Sequence, residues 1–159
     1  MIKAVLPGTF DPPTLGHVNM VERASTLFDT LYVVIAVNRM KHTLFTDVER
    51  LEMLRELFSS LDNVLVMTWQ GLVVDFASKH QVNVIIRGVR ALVDFGYEFE
   101  LAMTNKQLNP EIEVLFMPTD PKYFVLRSSA IKEMAMHGAD ISKMVPRQVA
   151  QALLSKLGN

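Results

Sequence analysis

The stretch IKAVLPGTFDPPTLGH, residues 2–17, decides the fold of this chain. Its first part, Ile2–Leu6, is a short apolar run typical of a buried strand, and the Pro, Gly and Asp residues that follow predict a loop. From His17 onward, apolar residues recur at helical spacing as far as Phe28, which predicts a helix. A strand, an irregular loop and a helix therefore follow one another directly, as expected at the start of an α/β domain.

The same alternation continues along the rest of the chain. Further strands are predicted at Leu31–Val37, Val64–Thr68, Val82–Ile86 and Glu113–Met117. Further helices are predicted from the capping box Thr46-Asp47-Val48-Glu49 onward and at Leu72–His80, Leu92–Leu108, Ser128–His137 and Pro146–Leu157. Strand and helix alternate five times, which predicts a parallel sheet with helices on both faces and right-handed crossovers.

Composition excludes several classes of protein. The chain has 159 residues, half of them apolar, which predicts one domain over residues 1–159 with a sizeable core. Cys is absent, so a disulfide scaffold, a thiol nucleophile and thiolate metal sites are excluded. The formal net charge of −1 provides no general basic field, so neither nucleic acid nor a membrane surface is expected as a partner. The longest strongly apolar run, Leu31–Val37, is too short to span a bilayer, and the sequence opens directly into a strand-like run without a signal-peptide pattern.

The unusual residues concentrate in one group of loops. These loops leave the carboxyl ends of the predicted strands, at Pro7–Gly16, Asn38–Phe45, Arg87–Ala91 and Pro118–Arg127. The loops that lead into strands are short and carry little chemistry. Because the carboxyl ends of parallel strands share one edge of the sheet, where ligands bind in such folds, the pattern predicts a ligand site at that edge.

The residue types in these loops favour an anionic ligand. Gly16 and His17 lie at a predicted helix start, where free N–H groups attract phosphate and a histidine can donate to a phosphoryl oxygen. Arg87 and Arg90 follow a strand and suit bidentate phosphate contacts, although pairing with nearby glutamates, Glu98 or Glu100, is the alternative.

Two further loop features stay ambiguous at this level. Ser128 and Ser129 begin a predicted helix, where they either hold a phosphate or act as plain N-caps. Lys41 follows the clearest strand, and spacing alone does not separate a ligand contact from a solvated charge.

Three motifs resemble those of a known family. Gly8-Thr9-Phe10-Asp11-Pro12 with Thr14-x-Gly16-His17 resembles the signature of the nucleotidyltransferase superfamily with the (H/T)xGH motif. Thr14, and Arg87-Gly88-Val89-Arg90-Ala91 followed by Asp94-Phe95-x-Tyr97-Glu98, resemble the phosphopantetheine adenylyltransferase branch. Ser128-Ser129-x-Ile131-Lys132 resembles the second superfamily motif. The three motifs occur in the expected order and extend over nearly the whole chain.

The resemblance implies a reaction and its surroundings. The expected activity is adenylyl transfer from ATP to 4′-phosphopantetheine, which gives dephospho-coenzyme A and pyrophosphate in the penultimate step of coenzyme A biosynthesis. Mg²⁺ is expected with ATP as the co-substrate, and the expected assembly is a cytoplasmic homohexamer. For the fold we predict an α/β, Rossmann-like, five-stranded parallel sheet of strand order 3-2-1-4-5, with helices on both faces.

The resemblance also implies roles for individual residues. Those expected to be catalytic are His17, which would stabilise the transition state, and Thr9, Lys41, Arg87 and Arg90. Those expected to hold 4′-phosphopantetheine are Thr9, Lys41, Val73 and Arg87. Those expected to contact ATP are Thr9, Phe10, His17, Gly88, Val89, Arg90, Glu98, Tyr123, Phe124, Val125, Leu126, Arg127, Ser128 and Ser129. No residue is assigned as a resident metal ligand.

Two alternatives to this reaction stay open. One is a sibling nucleotidyl transfer to nicotinate mononucleotide, glycerol phosphate or a similar phosphate, against which Thr14 and the Arg87–Ala91 motif argue. The other is a nucleotide-binding module without catalysis. The chain also departs from the family pattern at Arg127, where Ser is usual, at Gly96, where an acidic residue is common, and at Lys41-His42-Thr43.

Overall fold

The computed structural model of this chain describes residues 1–158. Its strands are β1 (Lys3–Gly8), β2 (Thr30–Val37), β3 (Val64–Gln70), β4 (Val84–Val89) and β5 (Glu113–Pro118). Its α-helices are α1 (Leu15–Ser25), α2 (Asp47–Leu57), α3 (Val73–His80), α4 (Leu92–Leu108), α5 (Ser128–Met136) and α6 (Arg147–Leu157), and a short 3₁₀ helix spans Pro121–Tyr123. Each strand and helix predicted from the sequence is present.

The five strands form one parallel sheet in the order β3-β2-β1-β4-β5. The predicted α/β class and strand order are therefore confirmed. Strand β1 lies at the centre and pairs with β2 on one side and β4 on the other. Strands β2 and β3 lie on one side of β1, and β4 and β5 lie on the other. The switch point of the strand order therefore lies between the carboxyl ends of β1 and β4.

Alternate residues of the strands supply two cores, one on each face of the sheet. On one face, Leu6 and Val33 pack with side chains of α1 and α2 such as Val21 and Leu54. On the other, Val5 packs with residues of α3, including Phe76. Because successive side chains of a strand point to opposite faces, this alternation buries both faces and places helices on each.

Strands β1 and β4 extend at their carboxyl ends into segments that the sequence assigns to loops. Strand β1 continues through Pro7 and Gly8, and β4 continues through Arg87, Gly88 and Val89, where the residues pair with neighbouring strands. The sequence assigned both segments to loops because Pro and Gly weaken strands and Arg is unusual in a central one. Hydrogen bonding to the adjacent strands overrides these local preferences, so the arginine motif begins inside the sheet and not after it.

The first helix is also displaced from the predicted position. It begins at Leu15 and is capped by Thr14, so that His17 lies within its first turn and not at its start. It ends at Ser25, before Phe28, which is half-buried against the core from the following loop. Within residues 1–158, no helix has both the length and the apolar character needed to cross a membrane.

Candidate active site

A cavity of about 630 Å³ opens at the carboxyl edge of the sheet, where β1 and β4 end. The predicted site residues that line it are Thr9, Phe10, His17, Lys41, Arg87, Gly88, Arg90, Tyr123, Leu126, Arg127, Ser128 and Ser129. They come from four separate segments of the chain, which the parallel sheet brings to one edge. The structure thus places the histidine and the paired arginines in one shared cavity.

Other predicted residues lie outside the cavity wall. Val73 begins α3 and packs against the core on the far side of the sheet. Val89 ends β4, and its carbonyl accepts a hydrogen bond from the N–H of Thr119. Phe124 and Val125 are largely exposed, at 51 % and 75 %. These side chains reach a ligand only if it extends beyond the cavity.

His17 is held by a reciprocal cap at the start of α1. Its backbone N–H donates to Thr14 Oγ1 at 3.3 Å, and its ring Nδ1 accepts a hydrogen bond from the N–H of Thr14 at 3.0 Å. Because a neutral imidazole carries one proton, Nδ1 as acceptor places that proton on Nε2. The ring packs edge-on against Phe10, with centroids 4.9 Å apart.

The environment of His17 also keeps the ring neutral. Burial lowers its pKa to about 4, and the nearby positive charge of Arg90 acts in the same direction. Both effects penalise the imidazolium form, so the ring is uncharged at neutral pH. His17 is therefore suited to donate a hydrogen bond from Nε2.

Phe10 and Gly8 set the shape of the loop between β1 and α1. Phe10 has a φ of 50°, in the left-handed region that non-glycine residues seldom adopt, and it is only 2 % exposed. A Cβ atom on Gly8 would lie 2.9 Å from the Phe10 ring, so that glycine is required for this packing. Arg50 of α2, 2 % exposed, donates to the carbonyl of Thr9 at 2.6 Å and fixes the loop from the other side.

Arg87 lies in β4 and is bound to Glu98 of α4. Its Nε and one terminal nitrogen donate to the two carboxylate oxygens at 2.5 and 2.9 Å. The sequence alternative in which Arg87 pairs with Glu98 is therefore what the structure contains. A guanidinium has five N–H donors, so the edge that faces the cavity keeps donors for a ligand while Glu98 fixes its orientation.

The remaining cations differ in how they are held. Arg90 donates to Asp94 at 3.3 Å and to the carbonyl of Leu126 at 3.2 Å. Among residues 1–158, the side chains of Lys41 and Arg127 have no hydrogen-bond or ion-pair partner, although both line the cavity. Arg127 lies at the N-terminus of α5, where the helix dipole is positive. A cation at this position is electrostatically unfavourable unless an anion lies between the guanidinium group and the end of the helix.

The start of α5 is organised differently from the plain N-cap considered above. The capping position is occupied by Arg127, and no side chain caps the helix. Ser128 instead donates from Oγ to the carbonyl of Pro12 at 2.8 Å, which joins α5 to the first loop. The N-cap interpretation of Ser128 and Ser129 is therefore wrong, because both residues lie inside the helix and one of them bonds elsewhere.

The chain is similar to known proteins over most of its length. A family model described as cytidylyltransferase-like matches residues 5–134. Phosphopantetheine adenylyltransferases from Caldanaerobacter subterraneus subsp. tengcongensis, Dictyoglomus turgidum and Dictyoglomus thermophilum are 44 %, 46 % and 45 % identical to this chain. These matches cover 96 %, 98 % and 99 % of this chain and 96 %, 98 % and 96 % of the relatives, in the same order.

The chain belongs to the phosphopantetheine adenylyltransferase family. The family resemblance noted from the three motifs is thus confirmed over the full length. A solved structure described as that of a nicotinate-nucleotide adenylyltransferase from Vibrio parahaemolyticus superposes with a TM-score of 0.69 at 20 % identity. That alignment covers 97 % of this chain and 99 % of the other, and it shows a shared fold.

Sequence reasoning on this family member missed some residues of the cavity wall. Met20 lies one helical turn after His17 and lines the cavity close to Gly88, where an added Cβ would come within 2.8 Å of the Met20 methyl group. The i, i+3 spacing from His17 was the available signal. Thr119 also lines the cavity, and nothing in its local sequence distinguished it.

The pKa of His17 leads to a spectroscopic prediction. In a ¹⁵N NMR titration of the imidazole, we expect His17 to show the tautomer protonated on Nε2 and a midpoint near pH 4, well below the ordinary value of 6.5. Between pH 4 and pH 6.5 the unfolded chain binds a proton at His17 that the folded chain does not. The free energy of unfolding is therefore expected to decrease as the pH falls from 6.5 towards 4. A midpoint near 6.5 would contradict the buried, neutral assignment.

Proposed function

We propose that this protein transfers the adenylyl group of ATP to 4′-phosphopantetheine, which yields dephospho-coenzyme A and pyrophosphate. This is the penultimate step of coenzyme A biosynthesis. Membership of the phosphopantetheine adenylyltransferase family supports the choice of reaction. The observation that carries the proposal is that His17, Lys41, Arg87 and Arg90, which come from three separate segments of the chain, line one cavity at the switch point of the sheet.

The chemistry needs positioning and charge neutralisation more than proton transfer. A phosphate oxygen of 4′-phosphopantetheine forms a bond to the α-phosphorus of ATP, and the bond from that phosphorus to the bridging oxygen breaks as pyrophosphate leaves. The attacking phosphate is already an anion at pH 7, so no general base is required. Two anions must nevertheless approach each other, and preorganised donors in a partly closed cavity supply the stabilisation.

His17 fits the transition-state role that the resemblance implies. Its neutral ring donates from Nε2 to a phosphoryl oxygen on which negative charge accumulates. The donor is fixed before the substrate arrives, because Thr14 holds Nδ1 and Phe10 packs against the ring. A donor that needs no reorganisation stabilises the transition state more than one that must first be ordered.

The cations divide between the two substrates. Lys41 and the open edge of Arg87 are proposed to hold the phosphate of 4′-phosphopantetheine, beside Thr9. Arg90 and Arg127 are proposed to hold the triphosphate of ATP near the start of α5. Arg127 replaces the usual serine of the family, so this chain adds a positive charge at that subsite. Five further residues lie outside the cavity wall, and their predicted substrate contacts are retained here as proposals. Val73 is proposed to contact 4′-phosphopantetheine, and ATP is proposed to be contacted by Val89, Glu98, Phe124 and Val125.

Mg²⁺ is proposed to enter together with ATP as part of the substrate. The part of the wall formed by residues 1–158 contains no Asp or Glu, and no group of three His, Asp or Glu side chains in that range is arranged to hold a metal ion. Mg²⁺ commonly keeps several waters and binds to substrate phosphates, which suits such a wall.

A homohexamer is the proposed assembly, with α4 at a subunit contact. Ala102 is the one fully buried residue of this helix. Large apolar side chains elsewhere on it are exposed, namely Leu92, Val93, Phe95, Tyr97, Phe99, Met103 and Leu108. A helix that is apolar on several sides usually becomes buried in an assembly. The cytoplasmic location expected from the sequence stays a prediction.

Removal of His17 tests the proposed catalytic role. Purified wild-type protein with ATP, Mg²⁺ and 4′-phosphopantetheine is expected to release pyrophosphate, and nicotinate mononucleotide or glycerol phosphate as acceptor is expected to give little. His17→Ala is expected to lower kcat at least roughly a hundredfold, because one preorganised donor is lost. His137→Ala, an exposed histidine outside the cavity, is the control. Normal turnover by the His17 variant would contradict its role.

Arg87 can be tested by substrate binding. Arg87→Ala is expected to weaken 4′-phosphopantetheine binding roughly tenfold or more, since a charge-assisted contact is lost, and to affect ATP less. Isothermal titration calorimetry measures both affinities. Glu98→Gln is expected to act in the same direction but more weakly, because Arg87 loses its fixed orientation and keeps its charge. Arg55→Ala provides a control, and unchanged affinity in Arg87→Ala would overturn the assignment.

The assembly can be tested by sedimentation equilibrium. The wild-type protein is expected at about six times the 18.0 kDa chain mass. Met103→Glu places a charge on the apolar surface of α4, where Met103 is 50 % exposed, and is expected to shift the mass to smaller species. Because this side chain is half exposed in the single chain, the variant is expected to fold. A wild-type mass of one chain would rule out the hexamer.

A further inference from the structure

Asp11 lies in the loop between β1 and α1, and its carboxylate is bound on several sides. The residue is 3 % exposed. Its Oδ1 accepts a hydrogen bond from the N–H of Phe45 at 2.9 Å, and its Oδ2 accepts from the N–H of Leu44 at 2.9 Å. The ammonium of Lys132 also donates to Oδ2, at 2.7 Å. These partners lie far from Asp11 along the chain.

The carboxylate of Asp11 is charged in this environment. Burial by itself raises its pKa, but hydrogen bonds from Lys132, Phe45 and Leu44 outweigh burial, so the pKa lies below its usual value. The buried anion thus has three donors, one of them a cation, which is the condition under which a buried charge is tolerated.

Each partner of Asp11 belongs to a segment that carries part of the cavity wall. Leu44 and Phe45 end the loop that bears Lys41. Lys132 lies in α5, one helical turn after Ser128 and Ser129, which line the cavity. Asp11 itself directly follows Thr9 and Phe10. One carboxylate therefore joins the first loop, the second loop and the start of α5, and the Ser128 hydroxyl adds a second link to the carbonyl of Pro12.

A Lys–carboxylate pair elsewhere provides a comparison. Lys106 donates to Glu113 at 2.5 Å, where α4 nears its end and β5 begins, at the opposite edge of the sheet from the cavity. That pair is exposed and joins no wall segments, with side-chain exposures of 40 % and 69 %. The Lys132–Asp11 pair has side-chain exposures of 26 % and 4 % and connects three wall segments.

We propose that Asp11 is a positioning residue for adenylyl transfer, and that its pairing with Lys132 sets the distance between the Lys41 loop and the start of α5. The inference rests on the proposed function, in which the first of these segments holds the acceptor phosphate and the second holds ATP. The reacting oxygen and phosphorus belong to different substrates, so a shift of one segment relative to the other lengthens the distance that the reaction must close. Neither Asp11 nor Lys132 lines the cavity, so in this proposal they act through Lys41, Ser128 and Ser129, which do.

The kinetic test uses Asp11→Asn, Lys132→Met and the double variant. We expect each single variant to lower kcat at saturating ATP and 4′-phosphopantetheine roughly 10- to 100-fold, because a small misplacement of bound reactants has this effect. The dissociation constants of the separate substrates are expected to change less than about threefold, since each binding segment persists. The double variant is expected to resemble the single variants, because all remove the same link. Lys132→Arg, which keeps the positive charge, is expected to retain at least half of the wild-type kcat. Lys106→Met, which removes the comparison pair, is the control and is expected to keep the wild-type kcat.

Several results would overturn the proposal. One is a kcat within twofold of wild type in both Asp11→Asn and Lys132→Met. Another is a lower melting temperature with unchanged kcat, which would indicate a purely structural link. Fully multiplicative losses in the double variant would show that the two residues act separately.

A second readout separates this inference from the proposed function. An Asn side chain has one acceptor oxygen where Asp has two, so Asp11→Asn must leave Leu44 or Phe45 N–H without its partner. We expect hydrogen exchange at one of these amides to rise at least tenfold, with exchange in the sheet unchanged. If wild-type protein releases no pyrophosphate with any acceptor, the proposed function fails and the exchange result still reports on the link. Unchanged exchange at both amides would refute the link itself.

Discussion

The position of β1 between β2 and β4 is the constraint on which the rest of the structure depends. Because all strands are parallel, every connection that leaves a strand emerges at one edge of the sheet. Because the strand order reverses at β1, the loops after β1 and β4 diverge and leave a cavity between them. The loop between β1 and α1 and the arginine motif of β4 therefore meet, although about seventy residues of sequence separate Pro7–Gly16 from Arg87–Ala91.

The electrostatics of the cavity combine fixed and free cations. Arg87 and Arg90 are oriented by Glu98 and Asp94, whereas Lys41 and Arg127 are unpaired within the described residues. Such a wall attracts anions and still presents some guanidinium groups in a defined geometry. His17 adds a neutral donor, and its low pKa follows from burial and from the neighbouring Arg90. The site thus presents positive charge together with a neutral hydrogen-bond donor.

The first loop is held from three directions, which explains how a segment without regular structure stays in place. Arg50 bonds the carbonyl of Thr9, Ser128 bonds the carbonyl of Pro12, and Asp11 bonds both Lys132 and the second loop. Phe10 keeps an unfavourable backbone conformation because its ring is packed beneath the loop. Strain of this kind persists only where surrounding contacts determine the conformation, and such positions cluster at functional sites.

The sequence by itself determined the class of fold, the number and order of the strands and helices, and the loops that carry the chemistry. These features follow from local patterns: apolar periodicity, caps, and Gly and Pro at turns. The motifs also placed most of the cavity residues in advance. Boundaries were less accurate at Pro7–Gly8 and Arg87–Val89, where pairing with neighbouring strands extends β1 and β4 against local preference.

The tertiary structure alone decided which charged groups meet. Arg87 donates hydrogen bonds to Glu98, and Asp11 accepts them from Lys132 and from the amides of Leu44 and Phe45. Among apolar contacts, the Met20 side chain lies close to Gly88. The sequence offered Glu98 only as one of two alternatives for Arg87 and contains no signal for the other contacts, which are set by the strand order and by the packing of helices on the sheet. Spacing along a chain predicts what a segment forms, whereas the contacts between distant segments depend on how the whole chain folds.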